Sequence, residues 1–275
     1  MMKTVGIIGY GNMGSVIAES IKAKYKVFVF DKDKEKTKNL SNIVVVNNIL
    51  DLVKSVDVVI LAVKPQDFEI LLDEIQGILI SKVIISIAAG ISTDYLLRRI
   101  PYSRVIRAMP NLLAKIGQGT TFLYKTRYAK PEDIGIAKEL FSQLGKIWLI
   151  EEKMMNAGTV ASGTGPAICC YKIELGNIDY HSMKEGQKLE LIKDLRRIAQ
   201  TVGFNSQDAN ILAKDVVEGV VNLLNEKGIS PSELRKQITS QGGTTQAALE
   251  VLNNNGSLEE AANAALKRAK ELSKT

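Results

Sequence analysis

The chain has 275 residues, 45% of them hydrophobic, and a formal charge of +6. That length can bury one large core or two modest ones, and the composition excludes a disordered or fibrous chain. The mild basicity favours anionic ligands such as phosphates and carboxylates. Basic residues are interleaved with acids, as in Asp31-Lys32-Asp33-Lys34-Glu35-Lys36 and Lys267-Arg268-Ala269-Lys270-Glu271, and no nucleic-acid motif occurs, so nucleic acid is not an expected partner.

No secretory pattern opens the chain and no apolar run is long enough to cross a bilayer, which predicts a cytoplasmic protein without a membrane partner. The two cysteines, Cys169 and Cys170, are adjacent and belong to no metal-ligand spacing, so they are expected to be idle thiols and no metal is expected.

The first half alternates short apolar runs with helical patterns. Val5-Gly6-Ile7-Ile8, Lys26-Val27-Phe28-Val29-Phe30, Ile43-Val44-Val45-Val46, Val58-Val59-Ile60-Leu61 and Val83-Ile84-Ile85-Ser86 read as strands buried on both faces, hence a parallel sheet with crossovers. Further strands are predicted at 103–107, 119–124 and 146–150, with a helix at about 132–143. The first domain, 1–150, is therefore α/β. Beyond Trp148 strand signals nearly vanish, and 151–275 reads as a separate all-α domain interrupted at Gly203, Gly228, Gly242-Gly243 and Gly256. Ile211, Leu212, Val216, Val220, Val221 and Leu224 recur at helical spacing and fit either an internal core or a contact with another subunit.

After the first strand stands Gly9-Tyr10-Gly11-Asn12-Met13-Gly14, followed by an amphipathic helix. In that setting Gly9 permits a tight turn, Gly11 lets the backbone approach a pyrophosphate, and Gly14 lets helix and strand pack closely. The helix N-terminus, with Asn12 and Met13, offers free N–H groups to the anion. A bare strand-to-helix turn is the competing reading. About twenty residues on, Asp31 is placed to accept hydrogen bonds from an adenosine ribose, which favours NADH, while Lys32 and Lys34 could neutralise the extra phosphate of NADPH.

Three more segments leave the carboxyl ends of strands, where open parallel sheets bind ligands. Ala62-Val63-Lys64-Pro65-Gln66, Ser86-Ile87-Ala88-Ala89-Gly90-Ile91 and Arg107-Ala108-Met109-Pro110-Asn111 are assigned to the cofactor through Ala62, Val63, Lys64, Pro65, Ala88, Ala89, Gly90 and Asn111.

With Ser162-Gly163-Thr164-Gly165-Pro166-Ala167 and Ser240-Gln241-Gly242-Gly243-Thr244-Thr245, six motifs stand in the order seen in pyrroline-5-carboxylate reductases, and the sequence resembles that family from first strand to last helices. The resemblance implies an N-terminal Rossmann domain, doubly wound with a mostly parallel sheet, and an all-α C-terminal dimerisation domain. It also implies reduction of 1-pyrroline-5-carboxylate to L-proline by NADPH or NADH in a homodimer or a larger ring of dimers.

For the GGTT segment the residues agree with a substrate role. Gly242 and Gly243 allow backbone N–H groups to converge on a carboxylate, and Ser240 and Thr245 supply hydroxyls. Ser240, Gly242, Gly243, Thr244 and Thr245 are assigned to the substrate, and Thr245 is the candidate catalytic hydroxyl near the imine nitrogen. A loop and helix cap is the competing reading. The only histidine, His181, lies in a polar stretch outside the motifs and is expected at the surface.

Two departures from the family pattern bear on the pocket. Gln241 stands where proline is usual, and Leu112-Leu113 follow the MPN segment. In addition, Ile168-Cys169-Cys170-Tyr171 leads into a Gly-interrupted polar stretch with helical register resuming at Leu191, which reads as an insertion or rebuilt helix start near 168–190. A related two-domain reductase of another imine, keto or hydroxy acid, with Lys172 a candidate lysine for the hydroxyacid class, and a non-catalytic dinucleotide sensor are the alternatives.

Overall fold

Val5-Gly6-Ile7-Ile8 presents no polar side chain, so as a strand it must be covered on both faces, and β1 (Thr4–Ile8) lies inside the sheet with all four of these residues buried. In the computed structural model, which describes residues 3–79 and 81–273, β1 pairs in parallel with β2 (Lys26–Phe30) and with β4 (Val58–Leu61). Beyond β2 lies β3 (Val44–Val45), and beyond β4 lie β5 (Val83–Ser86) and β6 (Arg104–Met109), all parallel. Then β7 (Gly119–Lys125) runs antiparallel to β6, and β8 (Gly145–Leu149) ends the sheet. The order β3-β2-β1-β4-β5-β6-β7-β8 reverses direction of travel between β1 and β4. In a doubly wound sheet, that switch point opens a crevice at the strands' carboxyl ends.

The expected run at 43–46 is a strand only over Val44–Val45, both exposed. It lies at the sheet edge with β2 as its partner, and beyond it the Val46 N–H still donates to the Val29 carbonyl of β2 at 3.0 Å.

Helices α1 (Asn12–Ile21), α2 (Ile49–Ser55), α3 (Phe68–Ile75), α4 (Thr93–Arg99) and α5 (Pro131–Phe141) belong to this half. Leu52, Phe68, Leu72, Ile75 and Leu96 bury completely in one cluster with Val59, Leu61 and Ile84 of the sheet. Each such side chain contributes roughly 1.5–3 kcal/mol. The start of α5 is held by Asp133, whose buried carboxylate accepts from Arg104 Nε at 2.8 Å, from Arg104 Nη2, and from the Lys130 N–H at 2.8 Å. Burial pushes this carboxyl up, but the bonds from Arg104 and Lys130 outweigh it and hold it below the usual range.

The chain divides into two compact units. The first runs to Pro110 and resumes over Thr121–Glu152; the second takes Asn111–Thr120 and Lys153–Ser273. The segment 111–120, expected within the first domain, packs with the second because Leu112, Leu113 and Ala114 are buried there. Leu113 lies against Gly219, where a Cβ would come within 2.7 Å of its Cδ1. These leucines, which depart from the family pattern, are packing residues of the second unit.

The second unit is helical: α6 (Met155–Gly158), a π-turn at Thr159–Thr164, α7 (Gly165–Leu175), α8 (Glu185–Thr201), α9 (Ser206–Lys227), α10 (Pro231–Ile238), α11 (Thr244–Asn253) and α12 (Leu258–Leu272). The irregularity expected at 168–190 is confined to 176–184. Helix α7 is unbroken because Gly165 through Cys170 are all buried, leaving no polar stripe to reveal its register. It stops where Asn177 turns left-handed, φ 44°, and α8 starts six residues before Leu191, where Gln187 accepts the Lys184 N–H at 3.0 Å. Exposed His181 bonds Asn225 through Nδ1 at 2.7 Å. Burial pushes the Cys169 thiol up to about 12 and raises its neighbour too, so both stay protonated and idle.

Candidate functional site

The glycine turn is built by close approach. Gly9 has φ +103°, and a Cβ there would come within 2.6 Å of the Ala62 carbonyl oxygen on the neighbouring strand's exit. A Cβ on Gly14 would come within 2.1 Å of the Gly9 carbonyl oxygen, so only glycine lets α1 sit this close to β1. At Gly11 the opposite holds: a Cβ would meet nothing within 4 Å. Gly11 borders a cavity of about 460 Å³, shared with Ile8, Gly9, Asp31, Lys32, Lys36, Ala62, Val63 and Lys64. It is also the N-cap of α1, without a side-chain cap and with no acidic residue in the first turn, so the helix's first N–H groups near Asn12 and Met13 are not claimed by a carboxylate. Open space at Gly11 and an uncapped helix fit a pyrophosphate.

Asp31 is buried and already engaged. Its Oδ2 accepts from the Tyr10 N–H at 2.6 Å and its Oδ1 from the Asp33 N–H at 2.8 Å, so the carboxylate closes the glycine turn onto the end of β2. Second lone pairs on each oxygen remain for ribose hydroxyls. Lys32, 78% exposed in its side chain, pairs with Asp67 at 3.0 Å, and Lys36 lies 3.7 Å from both Asp31 and Asp33. Lys34 stands over the Phe30 ring, 4.7 Å from its centroid. Each of these cations has a partner, so the tip of β2 is electrically balanced.

Of the Ala62–Gln66 segment, Ala62, Val63, Lys64 and Gln66 line the cavity, while Pro65 begins a 3₁₀ turn. Ala88, Ala89 and Gly90 form the loop after β5, with Gly90 at φ +81°. That loop ends at the N-terminus of α4, where the Thr93 N–H donates to Glu152 Oε1 at 3.2 Å. Buried Arg107 bonds the same oxygen through Nη1 at 2.7 Å, tying the loop to the last residue of the unit.

Asn111 carries an expected cofactor role. It belongs to the second unit, and its side chain is committed there: Nδ2 donates to the Ser162 carbonyl at 3.0 Å and Oδ1 accepts the Thr120 N–H at 3.1 Å. It fixes the 111–120 segment onto the π-turn.

In the GGTT segment, the expected convergence of Gly242 and Gly243 N–H groups is not what forms. The Gly242 N–H donates to Gln246 Oε1 at 2.7 Å and the Gly243 N–H to the Ser240 carbonyl at 3.0 Å. The N–H groups left without a side-chain cap are instead those at the start of α11, whose N-cap is Gly243. There Thr244 and buried Thr245 place their hydroxyls 3.1 and 3.3 Å from Thr164 Oγ1. Arg268, in a run read as a solvated face, donates through Nε to the Gly242 carbonyl at 2.7 Å and braces the turn. Neither Thr164 nor Arg268 was assigned from sequence, although Thr164 sits in the quoted SGTGPA motif.

Strand order, glycine turn and cavity define the class: a Rossmann-type dinucleotide-binding oxidoreductase with a helical second unit. Residues 4–90 match the family model described as NADP oxidoreductase coenzyme F420-dependent, and residues 189–274 match the model for pyrroline-5-carboxylate reductase dimerisation. The chain is 32% identical to the pyrroline-5-carboxylate reductase of Haemophilus influenzae, covering 98% of this chain and 97% of that one. It is also 32% identical to that of Methanosarcina acetivorans, with 98% of each covered. The solved pyrroline-5-carboxylate reductase of Coxiella burnetii, 27% identical, superposes over 100% of both chains with a TM-score of 0.66. The chain belongs to the pyrroline-5-carboxylate reductase family.

Proposed function

We propose that this chain reduces the C=N bond of 1-pyrroline-5-carboxylate to give L-proline, using NADPH or NADH. The observation that carries this reading is the start of α11: a helix N-terminus without a side-chain cap, next to the buried Thr245 hydroxyl. It offers a small carboxylate the N–H groups of Thr244 and Thr245 and offers a nearby ring nitrogen a hydroxyl, as a cyclic imino acid requires. Ser240, Gly242 and Gly243 shape the turn beneath, and Arg268 holds it.

The dinucleotide supplies the hydride when bound. Gly9, Gly11, Asn12, Met13 and Gly14 would hold its pyrophosphate, Asp31 and Lys32 would serve its adenosine end, and Ala62–Pro65 with Ala88, Ala89 and Gly90 would bind the remainder. Asn111 acts in positioning the second unit's turn. The dimerisation match over 189–274 supports assembly as a homodimer. Among the described residues no helix is long and apolar enough to cross a membrane.

A hydroxyacid dehydrogenase would need a free lysine in the second unit's first long helix, whereas Lys172 is paired with Asp194 at 2.9 Å. The test is oxidation of NADPH and NADH by purified protein with 1-pyrroline-5-carboxylate, with proline identified as product. Cofactor binding without turnover would reject the substrate assignment.

A further inference from the structure

Imine reduction needs a proton as well as a hydride, and the segment next to Thr245 suggests where it comes from. Thr159, Ser162 and Thr164 all lie on the π-turn between α6 and α7. Thr159 Oγ1 donates to the Met155 carbonyl at 2.9 Å and Ser162 Oγ to the Gly158 carbonyl at 3.1 Å, the ordinary fate of a helical hydroxyl. Thr164 does otherwise. Its fully buried hydroxyl stands 3.1 Å from Thr244 Oγ1 and 3.3 Å from Thr245 Oγ1, and in both pairs either oxygen can donate. The π geometry, sealed by the Gly165 N–H bonding the Val160 carbonyl five residues back, rotates Thr164 out of α-helical phase and toward α11.

We infer that Thr244, Thr164 and Thr245 form a three-hydroxyl relay that carries a proton from solvent to the ring nitrogen, with Thr164 as the positioning residue at its centre. This rests on the reading of Thr245 above. Thr244 is partly exposed, Thr164 and Thr245 are buried, so the line runs from water inward. A threonine hydroxyl has one proton to give and two lone pairs to receive. As hydride reaches the imine carbon, the C=N π pair moves to nitrogen and takes the Thr245 proton. Thr245 takes the proton of Thr164, Thr164 that of Thr244, and Thr244 one from water. Three threonine O–H bonds break and three re-form, the water O–H breaks to leave hydroxide in solvent, no threonine is left as an alkoxide, and the sum is imine plus hydride plus water giving secondary amine plus hydroxide. The relay matters when the substrate arrives neutral; a substrate already protonated at nitrogen needs no proton.

The experiment is the pH profile of kcat for wild type, Thr164→Val, Thr164→Ser and Thr245→Val with 1-pyrroline-5-carboxylate, folding being checked by thermal unfolding. For Thr164→Val the expected result is kcat near wild type at acid pH and a deficit of about 100-fold at alkaline pH, within the usual span of general acid catalysis, with KM little changed. Thr164→Ser should follow wild type. If Thr164→Val does not fold, Thr244→Val carries the same prediction. A wild-type profile in the valine variants, or a loss equal at all pH and not rescued by serine, would overturn the relay while leaving the reductase reading intact. If Thr245→Val also keeps the wild-type profile, the Thr245 assignment falls with it. A wild-type chain that does not turn over this imine overturns the reductase reading and the relay together.

Discussion

The Asp31 carboxylate accepts the Tyr10 N–H at 2.6 Å, so the residue proposed to meet a ribose also locks the turn proposed to hold the pyrophosphate. Removing it orphans the Tyr10 and Asp33 N–H groups, at a cost of about 1–3 kcal/mol each where they stay buried. Asp31→Ala is therefore expected to weaken NADH and NADPH alike, by tenfold or more, and to lower thermal stability. Equilibrium titration with both cofactors checks this; a swap of preference at unchanged stability would mean that Asp31 acts only on the ribose.

The glycines should separate folding from binding. Gly11→Ala meets nothing within 4 Å, so it should leave the unfolding midpoint within a degree or two, while its methyl group, set in the cradle, should weaken cofactor binding by roughly tenfold or more. Gly14→Ala drives a methyl into the Gly9 carbonyl and is expected to cost about 1–3 kcal/mol of stability as well as binding. Denaturant unfolding beside cofactor titration distinguishes the two.

Lys32 is exposed but held by Asp67. An exposed pair of this kind is worth about 0–1 kcal/mol, so Asp67→Asn should free the ammonium for a 2′-phosphate and shift the NADPH to NADH affinity ratio about threefold toward NADPH. An unchanged ratio would show that Lys32 does not reach that phosphate.

Asp133 predicts an acid limb of stability. Its folded pKa is depressed, so its contribution is fully present above the ordinary aspartate pKa near 3.9 and is lost as pH falls through the lower folded value. Unfolding free energy should then decline below about pH 4. Asp133→Asn should flatten that limb and cost about 1–3 kcal/mol at neutral pH by removing the counter-charge that partly buried Arg104 bonds. Urea denaturation at a series of pH values is the measurement.

Much of the first unit was legible in the chain itself, because its signals are local. Unbroken Val/Ile runs require cover on both faces, and glycines at 9, 11 and 14 can be assigned separate steric duties from their places in one turn. The GGTT segment could be read as a candidate site from its residue types, but its hydrogen bonding could not: Gly242 and Gly243 give their N–H groups to Gln246 and Ser240, and the N–H groups without a side-chain cap are those at the start of α11. Helix α7 hid its register because burial on nearly every side erases amphipathic periodicity.

What the tertiary structure alone decided are contacts between residues far apart in the chain. Asn111 bonds Ser162 across 51 positions, Thr164 meets Thr244 across 80, and Arg268 reaches back 26 to Gly242. Local propensity and spacing describe near neighbours, whereas these partners are chosen by how helices pack. The sequence by itself determined the parallel-strand pattern, the glycine turn and the family resemblance, since strand runs and turns are local signals and motif order is read directly along the chain. Packing decided which hydroxyls, amides and cations finally stand together, since that depends on the whole core.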